Sequence, residues 1–139
     1  MVAATTRTLE LQLLLGPDTV VPVAGRFGYR SDRPYEVRVA FVSQGRTVTT
    51  WVFSRELLLA GLRGPAGEGN VRIRPFRDSV GLRRVHIELR ADGGACALTA
   101  EATDLAAWVR ATAEVVPPGQ ETRYLDLDAH LARLFAERN

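Results

Sequence analysis

The sequence predicts an α+β fold: an antiparallel β-sheet or open barrel of about seven strands, with one short helix and two C-terminal helices. Three observations predict it. Apolar/polar alternation recurs along the first hundred residues in segments joined mostly by Gly-containing turns, the pattern of β-hairpins. The longer helical periodicities come late, so helices pack on one side of a sheet instead of alternating with its strands. Finally, Trp51-Val52-Phe53-Ser54-Arg55-Glu56-Leu57-Leu58 runs a strand directly into a helix start.

Thr8 to Leu15 sets Leu9, Leu11, Leu13 and Leu15 on one face and Thr8, Glu10 and Gln12 on the other, a half-buried strand. Gly16-Pro17-Asp18 is a turn. Val20 to Tyr29 is a second, interrupted strand, and Pro22, with no N–H to donate, puts part of it at an edge or bulge. Ser31 to Pro34 turns the chain into strand three, marked by Tyr35, Val37, Val39 and Phe41. Gln44-Gly45 leads tightly into strand four, Thr47 to Phe53, whose two faces are both largely apolar.

Ser54 stands where its hydroxyl can cap the first turn of a helix, and Glu56 lies where the helix dipole favours a negative charge. Phe53 and Leu58 are spaced as a hydrophobic staple. Gly61 and Gly64-Pro65 end this helix after about two turns. Beyond a Gly-rich loop, Val71 to Phe76 and Arg84 to Leu89 are strands five and six. Asp92-Gly93-Gly94 turns into strand seven, Ala95 to Glu101. Thr103-Asp104 begins a helix with Leu105, Trp108 and Val109 on one face, continued by Thr112, and Pro117-Pro118-Gly119 breaks it. A last helix starts at Asp126, with Leu127, Leu131, Leu134 and Phe135 as its apolar stripe.

A chain of 139 residues is expected to form one domain, 1–139, large enough for a core without disulfides or metals. The net charge of +2 is too small to demand a polyanionic partner. All 18 basic residues are Arg. Cys96 is the single cysteine, so no internal disulfide forms, and it is expected inside a strand as a small hydrophobe. The segment Leu9 to Leu15 carries Glu10 and Gln12, so it is neither a signal core nor a membrane span; a cytoplasmic protein without direct membrane insertion is expected.

No catalytic constellation emerges, and no metal or cofactor is implied. His86 and His130 have neither Cys96 nor an acid pair at ligand spacing. His86 alternates with Val85 and Ile87 and points to the outer face of its strand; His130 lies on the polar side of the last helix. Asp126 and Asp128 are explained by capping and the helix dipole. Gly64 to Gly69 lacks the Lys and Ser/Thr of a phosphate loop. Trp51 and Trp108 sit in apolar periodic segments and are expected in the core.

The candidate binding surface is a basic hairpin containing Arg72, Arg74, Arg77, Arg83 and Arg84, with Arg90 nearby and only Asp78 and Glu88 opposing. Arg72, Arg74 and Phe76 alternate onto one face, setting guanidinium beside aromatic ring. A plain solvated face, a dock for an acidic protein and a platform for single-stranded nucleic acid all fit that pattern, in that order. The small net charge stands against nucleic acid.

Four stretches also carry a resemblance, in order along the chain. Asp32-Arg33-Pro34-Tyr35-Glu36-Val37 is similar to an Asp-Pro-Tyr-x-Val strand start, with Arg33 extra. Trp51 to Leu58 is similar to Trp-Val-Phe, a small residue, Arg, an acid and Leu-Leu. Gly67-Glu68-Gly69-Asn70-Val71-Arg72-Ile73-Arg74-Pro75 is similar to Gly-x-Gly-Asp-Val-Arg-Val-Trp-Pro, with Asn70 and Arg74 departing. Pro117-Pro118-Gly119-x-Glu121 with Leu125-Asp126-Leu127-Asp128 closes the set. In these the chain resembles the SsgA-like proteins, sporulation and cell division regulators of filamentous actinobacteria, and its Arg-only composition fits a GC-rich genome. The resemblance implies a curved, Whirly-like sheet assembled as a homotrimer. It implies a non-enzymatic adaptor at division septa that helps recruit FtsZ and promotes its assembly, together with an SsgA-type protein. A single-stranded nucleic-acid-binding module is the alternative that the Whirly-like fold suggests.

Overall fold

The computed structural model describes residues 2–67 and 69–125. Seven strands form one antiparallel sheet: β1 (Ala4–Leu14), β2 (Val20–Arg30), β3 (Glu36–Ser43), β4 (Arg46–Ser54), β5 (Val71–Arg77), β6 (Arg83–Ala91) and β7 (Gly94–Glu101). Their order across the sheet is β4-β3-β2-β1-β7-β6-β5. Helix α1 (Arg55–Arg63) follows β4 and α2 (Ala102–Val115) follows β7, with a 3-10 turn at Glu121–Tyr124. Two meanders, β1 to β4 and β5 to β7, thus meet where β1 pairs with β7 over Leu11 to Leu14, and the sheet curls into a half-barrel.

Alternation decides which face is which. Leu9, Leu11, Phe27, Tyr29, Val37, Val39, Phe41, Phe53, Ile73, Val85, Ile87, Leu89, Leu98 and Ala100 all point to one side. There they pack with Leu58 of α1 and with Leu105, Trp108 and Val109 of α2. Burying this apolar surface is the main term favouring the fold. Phe27 and Trp108 meet at 5.3 Å between ring centres, pinning α2 under β2. The other side of the sheet is covered by neither helix.

The hairpin pattern, the strand into α1 and the Ser54 cap are all found; the Ser54 hydroxyl accepts from Leu57 N–H at 3.1 Å. The edge role of Pro22 is also found, because β3 pairs with β2 only from Ala24 to Gly28. Several expectations are corrected. Gly61 does not end α1; it lies inside the helix and is buried, because a Cβ there would overlap the Ile73 side chain on β5. Leu15 falls outside β1 and is exposed, since the turn begins one residue early. Tyr35 precedes β3 and is exposed. Strand β4 is not apolar on two covered faces, for Val48 and Val52 are exposed. Cys96 is in β7 but exposed, lying toward the open end of the strand. Helix α2 begins at Ala102, ahead of Thr103, and Glu101 at its start makes no side-chain cap. Trp51 is only half-buried, whereas Trp108 is fully buried. The helix expected from Asp126 and the position of His130 lie outside the described residues.

The two outer strands differ. On β5, Ile73 exchanges backbone hydrogen bonds with Ala66 at 2.8 and 2.9 Å, and Pro75 has no N–H to offer. On β4, no strand pairs the outer edge among the described residues.

Candidate partner-binding surface

On the uncovered face of β5 and β6, Arg72 stands opposite Glu88, Arg74 opposite His86 and Phe76 opposite Arg84. This register follows from strand alternation: Ile73, Val85 and Ile87 face the core, so their neighbours face out. The Arg74 guanidinium lies 5.9 Å from the centre of the Phe76 ring, and the His86 ring meets Phe76 edge-on at 6.3 Å. Arg72, Arg74, His86 and Glu88 line a groove of about 520 Å³ whose far wall is the loop Pro65 to Gly67. Gly67 is required in that wall: its φ is +101°, and a Cβ would overlap the Val71 carbonyl.

Electrostatically the groove is cationic and only partly neutralised. Glu88 is held below the usual carboxylate range, first by its hydrogen bond from Arg90 Nε at 2.9 Å. Burial and then the Arg74 charge hold the His86 imidazole below its ordinary value, so it is neutral at pH 7.

The six residues of the basic hairpin do not act together. Arg72, Arg74, Phe76 and Arg84 share the open face, but Arg84 is tied down, donating to Thr99 Oγ1 at 3.0 and 3.2 Å. Arg77 and Arg83 pair across the strands on the opposite parity, and Arg77 donates to the Gly81 carbonyl at 3.0 Å. Glu10 of β1 and Glu101 of β7 lie on the open face beyond Arg84, so the basic surface stops there. A continuous track for a phosphate backbone is therefore interrupted.

The sequence does not reveal the role of Arg55. It is buried, with only 2% exposed, under α2. It donates to the carbonyls of Val116 at 2.7 Å and Thr112 at 3.2 Å and to Glu121 Oε1 at 2.8 Å. Its guanidinium also sits 4.6 Å from the centre of the Tyr29 ring. Burial pushes the Tyr29 phenol up to about 12, and its hydroxyl donates to Pro34 O at 2.8 Å. Tyr35 and Thr122 share a hydroxyl–hydroxyl bond of 2.7 Å. Three of the four stretches behind the resemblance thus meet at one point, and the remaining one packs against α1 through Ile73 and Gly61. Most of the shared motifs thus brace the fold, and Gly67, Arg72 and Arg74 of one of them also line the groove.

Among the described residues no group of His, Cys, Asp and Glu is placed to hold a metal, and no helix is long and apolar enough to cross a membrane. What the fold presents is a regulator-sized α+β scaffold with an arginine-bearing sheet face, braced from within by the buried Arg55–Glu121 ion pair. The particular family follows from comparison. Residues 23–121 match the family model described as Streptomyces sporulation and cell division protein, SsgA, and the chain belongs to that family. It is 41% identical to the sporulation-specific cell division protein SsgB of Kineococcus radiotolerans over 93% of this chain and 77% of that one. It is 37% identical to SsgB of Streptomyces coelicolor over 93% of both chains. A solved SsgA-like sporulation-specific cell division protein from Thermobifida fusca superposes with a TM-score of 0.85 at 37% identity, over 94% of this chain and 95% of that one. A second solved structure, from work on SsgB mutations and longitudinal division in Streptomyces coelicolor, gives 0.85 at 34% identity over 90% and 98%. A role in sporulation cell division follows from these relationships.

Proposed function

We propose that this chain is a non-enzymatic adaptor that helps bring FtsZ to septum sites and favours its assembly, with an SsgA-type protein as co-partner. Membership of a family of sporulation and cell division proteins supports the setting. The geometric observation that carries the docking surface is exposed Arg74 over half-buried Phe76, beside exposed Arg72 at the rim of a cationic groove. Arginine and aromatic side chains together supply charge steering and a large rigid contact area. In a homotrimer three copies of that surface act together, so contacts weak individually add along a filament. The adaptor works in the cytoplasm, at the septum, as one SsgA-like domain and without entering the membrane.

Co-sedimentation with FtsZ filaments in GTP tests this. The unaltered protein is expected in the pellet and the Arg72→Glu/Arg74→Glu variant in the supernatant. Absence of the unaltered protein from the pellet would overturn direct recruitment. The nucleic-acid alternative has less support, because the acidic residues Glu10 and Glu101 border the basic patch.

A further inference from the structure

We propose that the open face of β1, β2 and β3 holds a second recognition site, a groove that takes an extended acidic peptide segment with an apolar side chain between its carboxylates. The site lies on the same uncovered face as Arg72 and Arg74 but across β6 and β7 from them, and it does not depend on how FtsZ is bound.

The groove has a volume of about 370 Å³. Its floor is made of small residues, Ala4, Thr6, Gly28 and Ala40, and its rim includes Arg26 and Arg38, with one carboxylate, Glu36, at the edge beside Arg33. Gly28 lies at the centre. It is opposite Arg38 on β3 and Thr6 on β1, and between Arg26 and Arg30 along its own strand. A Cβ at Gly28 would have only the Arg38 carbonyl and Thr6 Oγ1 nearby, each at 3.9 Å, so the space above it is open.

Four arginines surround that space, and they are not equivalent. Arg30 is held by Asp32 through bonds of 2.9 and 3.0 Å, and Arg33 reaches Glu36 at 3.5 Å. Arg26 and Arg38 have no carboxylate partner among the described residues. They are diagonal neighbours across β2 and β3, a relation that sets side chains roughly 7–8 Å apart. Alternate side chains of an extended peptide repeat at about 7 Å, which is also the step from Arg26 to Gly28 and from Gly28 to Arg30 along β2. A peptide lying along β2 therefore sets carboxylates four positions apart at Arg26 and Arg30, with Arg38 beside the middle position, while the side chain midway between them drops onto Gly28.

The chemistry separates this occupant from others. A lone phosphate would leave the apolar floor unfilled. A nucleic-acid base would need an exposed aromatic to stack on, and the one aromatic at the groove, Tyr29, is turned into the core with 2% exposed.

The test uses fluorescence anisotropy with a labelled Asp-Ser-Leu-Ser-Asp peptide, its Lys-Ser-Leu-Ser-Lys counterpart and inorganic phosphate as competitor. The acidic peptide is expected to bind and the basic one not. Arg26→Ser/Arg38→Ser should weaken binding at least about tenfold, since each lost charged hydrogen bond is of that order. Gly28→Val should do the same by filling the floor, with an unchanged melting curve, while Arg72→Ser/Arg74→Ser should have no effect. Binding that survives Gly28→Val, that the basic peptide matches, or that phosphate displaces as well as the peptide does would overturn the proposal.

Discussion

Arg55 and Glu121, 66 positions apart, form an ion pair of 2.8 Å that ties the start of α1 to the chain beyond α2. The same guanidinium satisfies two carbonyls at the C-terminal end of α2, a helix without a basic residue in its last turn. The cation thus does for α2 what its own sequence does not: it meets the negative end of the helix dipole.

Replacing Arg55 by Leu is expected to be among the most damaging single changes. It leaves the Val116 carbonyl without its donor and takes one donor each from the Thr112 carbonyl and the Glu121 carboxylate. Breaking a buried pair from one side costs about 3–5 kcal/mol. Arg55→Lys should recover part of this, because an ammonium cannot span the carbonyls and the carboxylate as the planar fork does. Urea unfolding checks both; a loss below 1 kcal/mol for the Leu variant would mean the pair is incidental.

Acid should loosen this junction. Glu121 is held below the usual carboxylate range by its own backbone N–H, by the Arg55 side chain and by Gly119 N–H. Its ionised form is therefore favoured by folding. The stabilisation is complete above the ordinary carboxylate range and is lost as pH falls through the lowered folded value. Melting temperatures of the natural protein and Glu121→Gln, followed downward from pH 7, should converge in acid. Parallel curves at every pH would refute the assignment.

Gly61→Ala sets two effects against each other. Helix propensity alone favours Ala by about 1 kcal/mol. The new methyl would overlap Ile73, and overpacking of a filled core costs about 1–3 kcal/mol. The clash should win, with a net loss of stability, and Ile73→Ala should relieve it. A double-mutant cycle with no coupling between the two positions would show that α1 and β5 are not in this contact.

His86 reports on the proposed docking surface. Its imidazole is held below the ordinary value first by burial and then by Arg74. In an NMR titration its midpoint should lie under the ordinary value of about 6.5. It should move up in Arg74→Gln. An unmoved midpoint would place Arg74 away from the ring.

Much of this was legible in the chain because hairpins write themselves in alternation. The residues that misled are those whose environment is made by distant parts of the sequence. Gly61 reads as a helix stop unless one knows that Ile73 presses on it. Cys96 and Leu15 read as core by type, yet they lie at strand ends that the helices do not reach. Arg55 gives no local sign of burial, since its partners are 57, 61 and 66 positions away. Within the basic hairpin, parity foretold that Arg72, Arg74 and Phe76 share a face, but not that Arg84 is committed to Thr99. The groove over Gly28 left a usable signal: Arg26, Gly28 and Arg30 alternate on one strand, Arg38 and Ala40 on the next.

The unequal ends of the sheet restrict how copies of this chain can join. A ladder running from one molecule to the next in the same sense needs two different free edges, and β5 has surrendered its own to Ala66 and Pro75. Among the described residues, strand pairing between copies is left with β4 against β4, a self-complementary contact with a two-fold axis that is complete at two molecules. Such a contact neither propagates into a fibre nor closes a ring of three. Threefold symmetry in this fold must be written on faces, loops or helices, where the side chains and not the backbone set the geometry.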